Sequence, residues 1–361
     1  MVKLTNKERL DIIKSVGEEI ITEQELIELL EKKESFIAYD GFEPSGKIHI
    51  AQGLLRAINI NKMTKAGAKF KMLVADWHAW ANNKMSGDLE KIQIVGKYFI
   101  EVWKSCDLDI KNVEFVWASD LLNNRDYWKT VMQIARNTTL NRILRTTQIM
   151  GRTEKDILQA SHILYPCMQA ADIFHLKADI CQLGLDQRKV NVLAREIGEK
   201  IGYYKPIIVS HHMLLGLQKI NTDNKDTIER AIELKMSKSK PDTAIFMTDT
   251  EEDINRKISK AYCQEREKNE NPVLEYFKYI IFEKYNQIEI KRPDKFGGSL
   301  IIKNYNELES LYVEGKIHPL DLKKSCAYYI NELIKPTRIY FENNQNAKKL
   351  KEMVESFEIT R

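Results

Sequence analysis

The sequence predicts an α/β fold: a parallel sheet with helices on both faces, followed by a mostly α-helical second domain. Three observations carry that prediction. Short apolar runs with strand character at 36–39, 70–74, 113–117, 180–183 and 207–209 alternate with stretches of helical periodicity, the pattern that builds parallel sheets. Strand signals fade after residue 246, where the run from Glu251 to Ile258 opens a helical region reaching Arg361. Between the first run and the helical Leu54-Leu55-Arg56-Ala57-Ile58 stands a Gly- and Pro-containing turn at 44–53, placed where α/β sheets hold ligands, beyond the carboxyl ends of their strands. A boundary just past residue 246 divides the chain into 1–246 and 247–361.

Taken in order, residues 5–33 show helical periodicity with alternating charge. The run 36–39 ends on Tyr39 and reads as a buried strand. The turn that follows bends at glycines and aims free backbone N–H groups and the positive end of a helix past the strand, which suits a phosphate. His49 adds a donor there. The run 70–74 leads into Asp76 and His78, readable either as a strand-end carboxylate capping the next helix and a core histidine, or as pocket residues. In Tyr165-Pro166-Cys167-Met168-Gln169-Ala170-Ala171-Asp172, Pro166 suits the first turn of a helix. Gln169 and Asp172 then share one face, with Tyr165 just before them. Such a face is either a satisfied core network or a set of ligand contacts, because buried amides and carboxylates need partners. Lys235-Met236-Ser237-Lys238-Ser239, closed by Lys240-Pro241-Asp242, is a polar loop with mobile positive charge, the composition of a solvated loop as well as of an anion site.

Composition sets outer limits. The 361 residues include 56 Lys and Arg against 52 acids, for a net charge of +4, which permits RNA binding without requiring it. Five cysteines with no CxxC pair argue against a disulfide framework or structural zinc and for a reducing compartment. The N-terminal residues lack an apolar core of signal-peptide type and no apolar run of about 18 residues follows, so the expected location is cytoplasmic, without a membrane. Neither GxGxxG nor a P-loop lysine motif is present, which counts against a dinucleotide enzyme and a P-loop kinase.

Two segments together resemble the signature motifs of class I aminoacyl-tRNA synthetases. Residues 235–239 read KMSKS, and His49-Ile50-Ala51-Gln52 stands where the class has His-Ile-Gly-His, matching at His49 and Ile50 and departing at Gln52. The helix from Tyr165 to Asp172 and Gly184-Leu185-Asp186-Gln187-Arg188-Lys189 resemble segments of the tyrosyl-tRNA synthetases of archaeal and eukaryotic cytoplasmic type. The resemblance spans about residues 35–335 and implies a Rossmann-like catalytic domain with a helical anticodon-binding domain. It further implies ATP as a substrate accompanied by Mg²⁺, no protein-bound metal site, L-tyrosine and tRNA(Tyr) as partners, and a homodimer joined through an insertion at about 110–165 that includes Arg125, Trp128 and Met132.

By that resemblance Tyr39 and Asp172 hold the phenol of tyrosine, while Tyr165, Gln169 and Gln187 hold its ammonium, with Asp76 and His78 lining the same pocket. His49, Lys235 and Lys238 stabilise the departing pyrophosphate. Gly41, Gly46, Gln52, Gly53, Gly184, Asp186, Met236, Ser237 and Ser239 complete the ATP site, with Asp186 on the ribose. Arg145, Arg188 and Lys189 face the tRNA acceptor end. Phe296 and His318 stack on the first anticodon base, and Asp321 accepts from a guanine edge. A tryptophanyl enzyme is the nearest alternative, opposed by Tyr39 and Asp172 because an indole offers one donor and no acceptor. A synthetase-like RNA-binding protein without catalysis is the other.

Overall fold

The computed structural model describes residues 4–151, 159–219, 227–238 and 241–357. Six strands form the main sheet: β1 (Gly17–Ile21), β2 (Phe36–Phe42), β3 (Ala68–Val74), β4 (Val113–Trp117), β5 (Ile180–Cys181) and β6 (Ile207–His211), in the order β1-β6-β5-β2-β3-β4. The strands from β2 to β6 pair in parallel, and β1 closes one edge antiparallel to β6. Strand order reverses between β2 and β5, so the crevice beyond their carboxyl ends is the place for a ligand. The five expected parallel strands are all present, extended by two or three residues at β2, β3 and β6 and cut to two residues at β5.

Three local expectations are corrected. The stretch 5–33 is not helical throughout. Capping boxes at Thr5/Glu8 and Thr22/Glu25 start helices Asn6–Lys14 and Glu23–Lys32, and β1 lies between them. Its Gly-Glu-Glu-Ile-Ile sequence has no clear period, and its partner is nearly 200 residues away, so pairing rather than pattern makes it a strand. The helical region after residue 246 likewise contains an antiparallel pair, β7 (Ile288–Ile290) and β8 (Leu300–Ile302), each too short for alternation to register. Pro166 stands inside helix Ala160–His175 rather than in its first turn. It is buried among apolar neighbours, which hold the helix together across the one missing amide donor.

Because side chains alternate across a strand, the sheet builds two cores. Phe36, Ala38, Phe70 and Met72 point into one, which runs without a break through Ile254, Phe277 and Ile330 to Val354, so the helical region is packed on the sheet domain. Tyr39, Leu73 and Cys181 point into the other, beneath helices Arg125–Arg136, Ala160–His175 and Arg188–Gly198. Tyr39 therefore faces the helix that carries Asp172. Polar contacts reinforce this packing: Tyr340 donates to Glu101 at 2.5 Å and Lys62 pairs with Glu283 at 2.7 Å.

Buried Arg9 staples the N-terminal helices to this frame. Its guanidinium donates to the carbonyls of Ala66 (2.8 Å), Leu30 (3.1 Å), Lys33 (3.1 Å) and Glu34 (2.9 Å). Arg9→Ala strips four acceptors, two of them buried, of their donor and should cost about 2–3 kcal/mol of stability. A thermal melt checks this, and an unchanged midpoint would show that water replaces the guanidinium.

Candidate active site

At the point where strand order reverses lies a cavity of about 960 Å³. It gathers most of the expected site residues from segments far apart in the chain. Tyr39 and Gly41 come from β2, and His49 and Gln52 from the turn after it. His78 comes from helix Asp76–Ala81, and Tyr165, Gln169 and Asp172 from helix Ala160–His175. Gly184, Asp186 and Gln187 follow β5, and Lys235, Met236, Ser237 and Lys238 come from the lysine loop.

One end is a buried polar slot. Tyr39 is 1% exposed, and its hydroxyl makes no hydrogen bond among the described residues. Burial, reinforced by Cys181 and Asp172, pushes its pKa well up, so it stays a neutral donor. Asp172 is fully buried; one carboxylate oxygen accepts from the Tyr127 hydroxyl at 2.7 Å, and the other lies 3.0 Å from His78 Nε2. That second contact is an ion-pair distance without hydrogen-bond alignment, which leaves Oδ2 able to accept from another donor. Burial is the largest influence and works against the His78 imidazolium, but contact with Asp172 and the charges of Glu43 and Asp76 together outweigh it and the pKa is raised. At the slot's mouth Gln169 donates to Gln187 at 3.0 Å, Gln187 donates to the Ile149 carbonyl at 3.1 Å, and Tyr165 donates to Glu43 at 2.7 Å. A small molecule carrying a hydroxyl that both donates and accepts at one end, and a cation at the other, fits this set of groups.

Asp76 does not reach the cavity. It is fully buried behind His78, accepting from the Trp77 and Ser119 amides at 3.0 Å each and from Gln93 at 3.1 Å. One carboxylate oxygen thus takes a first-turn amide from each of two helices, Asp76–Ala81 and Ala118–Leu122, neither of which has a side-chain cap at its N-cap residue.

The other end of the cavity is cationic. The turn 44–53 is fixed by backbone bonds from Ile50 to Ile245 at 2.8 Å and from Met247 to Ile48 at 2.9 Å, which tie it to the segment just after the lysine loop. Glycine is required at two places in the turn. Gly46 has φ of 107°, in the left-handed region, and a Cβ on Gly53 would lie 2.5 Å from Met247 Sδ. Neither of these glycines lines the cavity; they shape its wall. By contrast a Cβ on Gly41 would meet only ordinary contacts, the nearest at 3.6 Å, so its lack of a side chain leaves room on the cavity side. Helix Leu54–Lys65 starts at Gly53 without a side-chain cap, and Ala51, Gln52 and Leu55 at that start line the cavity.

His49 is buried; desolvation, with Lys238 and Lys235 nearby, holds its pKa well below the usual range, so it is a neutral imidazole. Lys235 pairs with Asp186 at 2.5 Å. Lys238 sits 3.3 Å from Ser45 Oγ and over the Phe99 ring at 4.6 Å. Ser239 lies outside the described residues. Among the described residues no three His, Cys, Asp or Glu side chains gather as for a metal ion.

Burial, with the Lys84 charge added, pushes the Lys238 pKa down to about 7. A polyanion next to it favours the ammonium and returns the pKa toward its usual value. Binding of a nucleoside triphosphate at pH 8 should therefore take up as much as one proton, and affinity should weaken as pH rises through 7 and above. Titration calorimetry in buffers of different ionisation enthalpy measures this. Heats independent of the buffer would show that Lys238 is already charged in the free protein.

Sequence reasoning missed Tyr127, Glu43 and Lys84. Glu43 and Lys84 line the cavity and pair at 3.7 Å. Glu43 directly precedes the motif turn and was within sight of it, whereas Tyr127 carries no local signal and reaches Asp172 only because two helices pack together.

The remaining expected residues lie outside the cavity. Arg188 Nε donates to both carboxylate oxygens of Glu19, at 2.8 and 2.9 Å, Lys189 pairs with Glu229 at 3.0 Å and contacts Gln148, and Arg145 is exposed on helix Leu140–Thr146. In the C-terminal helical region Phe296 is 62% exposed, His318 caps helix Pro319–Asn343 by accepting from the Leu320 amide at 3.2 Å, and Asp321 stands in that helix's first turn. Arg292 joins these two segments, donating to the Gly298 carbonyl at 2.9 Å and to the Lys316 carbonyl at 2.7 Å.

A parallel sheet whose crevice couples a glycine-bent turn and two loop lysines to a small buried polar slot defines an enzyme class that activates a compact polar substrate with a nucleotide. The family described as tRNA synthetases class I (W and Y) matches residues 31–335, and the chain belongs to it. It is 49% identical over 358 residues to cytoplasmic tyrosine–tRNA ligase 1 of Arabidopsis thaliana, covering 98% of this chain and 90% of that one. Among solved structures it resembles Pyrococcus horikoshii tyrosyl-tRNA synthetase complexed with L-tyrosine (TM-score 0.90, 39% identity, 97% of this chain and 100% of that one). It also resembles Leishmania major tyrosyl-tRNA synthetase in complex with tyrosinol, with TM-score 0.89 and 44% identity; the match covers 98% of this chain and spans 61% of that longer one.

Proposed function

We propose that the chain is a tyrosine–tRNA ligase, which activates L-tyrosine with ATP and transfers it to tRNA(Tyr). The observation that carries this reading is that one cavity is lined by buried Tyr39, whose hydroxyl is a donor with no partner among the described residues, by fully buried Asp172, an acceptor, and by Lys235 and Lys238. A phenol satisfies both groups. Phenylalanine strands both, and the indole of tryptophan has nothing to accept the Tyr39 proton.

In the first step a carboxylate oxygen of tyrosine attacks the α-phosphorus of ATP and pyrophosphate leaves. In the second, a ribose hydroxyl at the 3′ end of the tRNA attacks the acyl carbonyl and AMP leaves. Tyr39 and Asp172 would fix the phenol, with Tyr165, Gln169 and Gln187 at the ammonium. His78 sits against Asp172 and orients it. Asp186 would hold the ribose. His49, Lys235, Lys238 and the backbone of the turn would meet the charge that grows on the departing pyrophosphate, a role of alignment and electrostatics rather than covalent chemistry. Magnesium arriving on the ATP phosphates would share that charge. Arg145, Arg188 and Lys189 are proposed to take the acceptor end, the last two exchanging their present acidic partners for phosphates. Phe296, His318 and Asp321 are proposed to read the anticodon. Further parts of the reading are a division near residue 246, a cytoplasmic location and a homodimer. Exposed Met132 and Leu140, 62% and 58% accessible, support an interface within 110–165; among the described residues no helix is long and apolar enough to cross a membrane.

ATP–pyrophosphate exchange with tyrosine, tryptophan and phenylalanine supplied separately tests the reading. Exchange with tyrosine alone supports it. Exchange with tryptophan moves the assignment to the sister enzyme, and none with any of the three leaves an RNA-binding protein without catalysis.

A further inference from the structure

We propose that Tyr328, with Lys291 above its ring, is a second RNA-stacking platform on the helical domain, serving a nucleotide beyond the one met by Phe296 and His318. The proposal rests on the tRNA-binding reading given above. Tyr328 is 55% exposed, and Lys291 Nζ lies 5.6 Å from its ring centroid; Phe296, 62% exposed, is matched by Lys295 at 5.0 Å. Two open aromatic faces, each with an ammonium beside it, are linked through the chain: Lys291 adjoins Arg292, which donates to the Gly298 carbonyl just after Phe296 and to the Lys316 carbonyl just before His318. An unpaired base stacks on such a ring and its phosphate finds the neighbouring cation, the pairing that single-stranded RNA sites use.

The helix beneath the ring is anchored. The next residue, Tyr329, is buried, receives the Glu289 amide at 2.7 Å and meets Tyr328 edge-on at 5.1 Å, which fixes the helix face that presents the exposed ring. Leu320, Lys324 and Tyr328 form one exposed stripe at four-residue spacing, leading from the helix end that carries His318 and Asp321. From His318 to Tyr328 the helix rises about 15 Å. That exceeds the reach of one stacked base, so Tyr328 meets a different nucleotide, and Lys324 stands between the two. The cations beside both rings favour RNA over an apolar protein partner, which would leave them buried without counter-charge.

The test is equilibrium binding of a tRNA(Tyr) transcript to the full chain across a salt series. Tyr328→Ala should weaken binding about tenfold or more, and Tyr328→Phe should stay within about twofold of wild type, because stacking needs the ring and not the hydroxyl. Lys291→Ala should weaken binding and reduce the salt slope by about 1. Melting temperatures equal to wild type check that the variants are folded. A Tyr328→Ala protein that binds tRNA like wild type would assign the ring to a protein partner and overturn the proposal, as would Phe and Ala variants that are equally weak. Wild-type protein that retains no tRNA would instead remove the RNA reading on which the proposal stands.

Discussion

Lys238→Ala should slow ATP–pyrophosphate exchange with tyrosine by about 10²- to 10³-fold, while the affinity for tyrosine changes little. The side chain sits between Ser45 and the Phe99 ring, with a depressed pKa because burial and Lys84 both work against its charge. A group held that way is destabilised in the free protein and relieved first by the bound triphosphate and further as charge grows on the departing pyrophosphate, so part of its contribution appears only in the transition state. Removing one such donor from an enclosed site costs about 3–4 kcal/mol of transition-state stabilisation. Lys235→Ala should act in the same direction and also raise KM for ATP, because it leaves Asp186 without the counter-ion now 2.5 Å away. Single-turnover measurement of adenylate formation separates the two effects. An unchanged rate for Lys238→Ala would remove this lysine from the chemistry.

Asp172→Asn should lower kcat/KM for tyrosine in exchange by about 30- to 150-fold while hardly changing the small rate with phenylalanine. The variant keeps the side-chain volume and an oxygen for the Tyr127 hydroxyl, so the helix packing at 2.7 Å contact survives. It loses the charged acceptor facing the slot, worth about 2–3 kcal/mol for a hydrogen bond to an ionised group. Selectivity for the phenol should therefore fall by the same factor as the tyrosine rate. Equal losses for both amino acids would mean that Asp172 supports the fold and does not read the substrate; no loss would mean that the phenol binds elsewhere. Tyr39→Phe, which removes the opposing donor, should show the same selectivity change to a smaller degree, since Tyr39 is neutral.

Fold class and motif identity were legible from local patterning because both depend on residues close in the chain. Strands 70–74 and 113–117 announce themselves by apolar runs between helical stretches, and the lysine loop and glycine-bent turn are readable as contiguous strings. β1 was not legible, since an irregular Glu- and Ile-containing segment becomes a strand only against the open edge of β6. Helix Ala160–His175 is recognisable in the sequence, but Pro166 marks its start wrongly, because the proline preference for first turns is a tendency that strong packing overrides.

The site divides along the same line. Local sequence was enough to propose that Tyr39, Gln169 and Asp172 present polar groups, that His49 sits at a helix-initiating turn and that two lysines flank Met236. Asp76 and His78, two residues apart, look equivalent in the sequence. Folding points Asp76 back onto the Trp77 and Ser119 amides and His78 into the cavity. The partnership of Asp172 with Tyr127 and His78, and of Glu43 with Tyr165, joins side chains 45, 94 and 122 positions apart. Such contacts depend on which face of the sheet a strand residue takes and which helix covers it, and neither is a property of a local stretch of chain. Chain-local chemistry thus set the inventory of donors, acceptors and charges, and the long-range packing of helices on the sheet selected which of them face one another across the cavity.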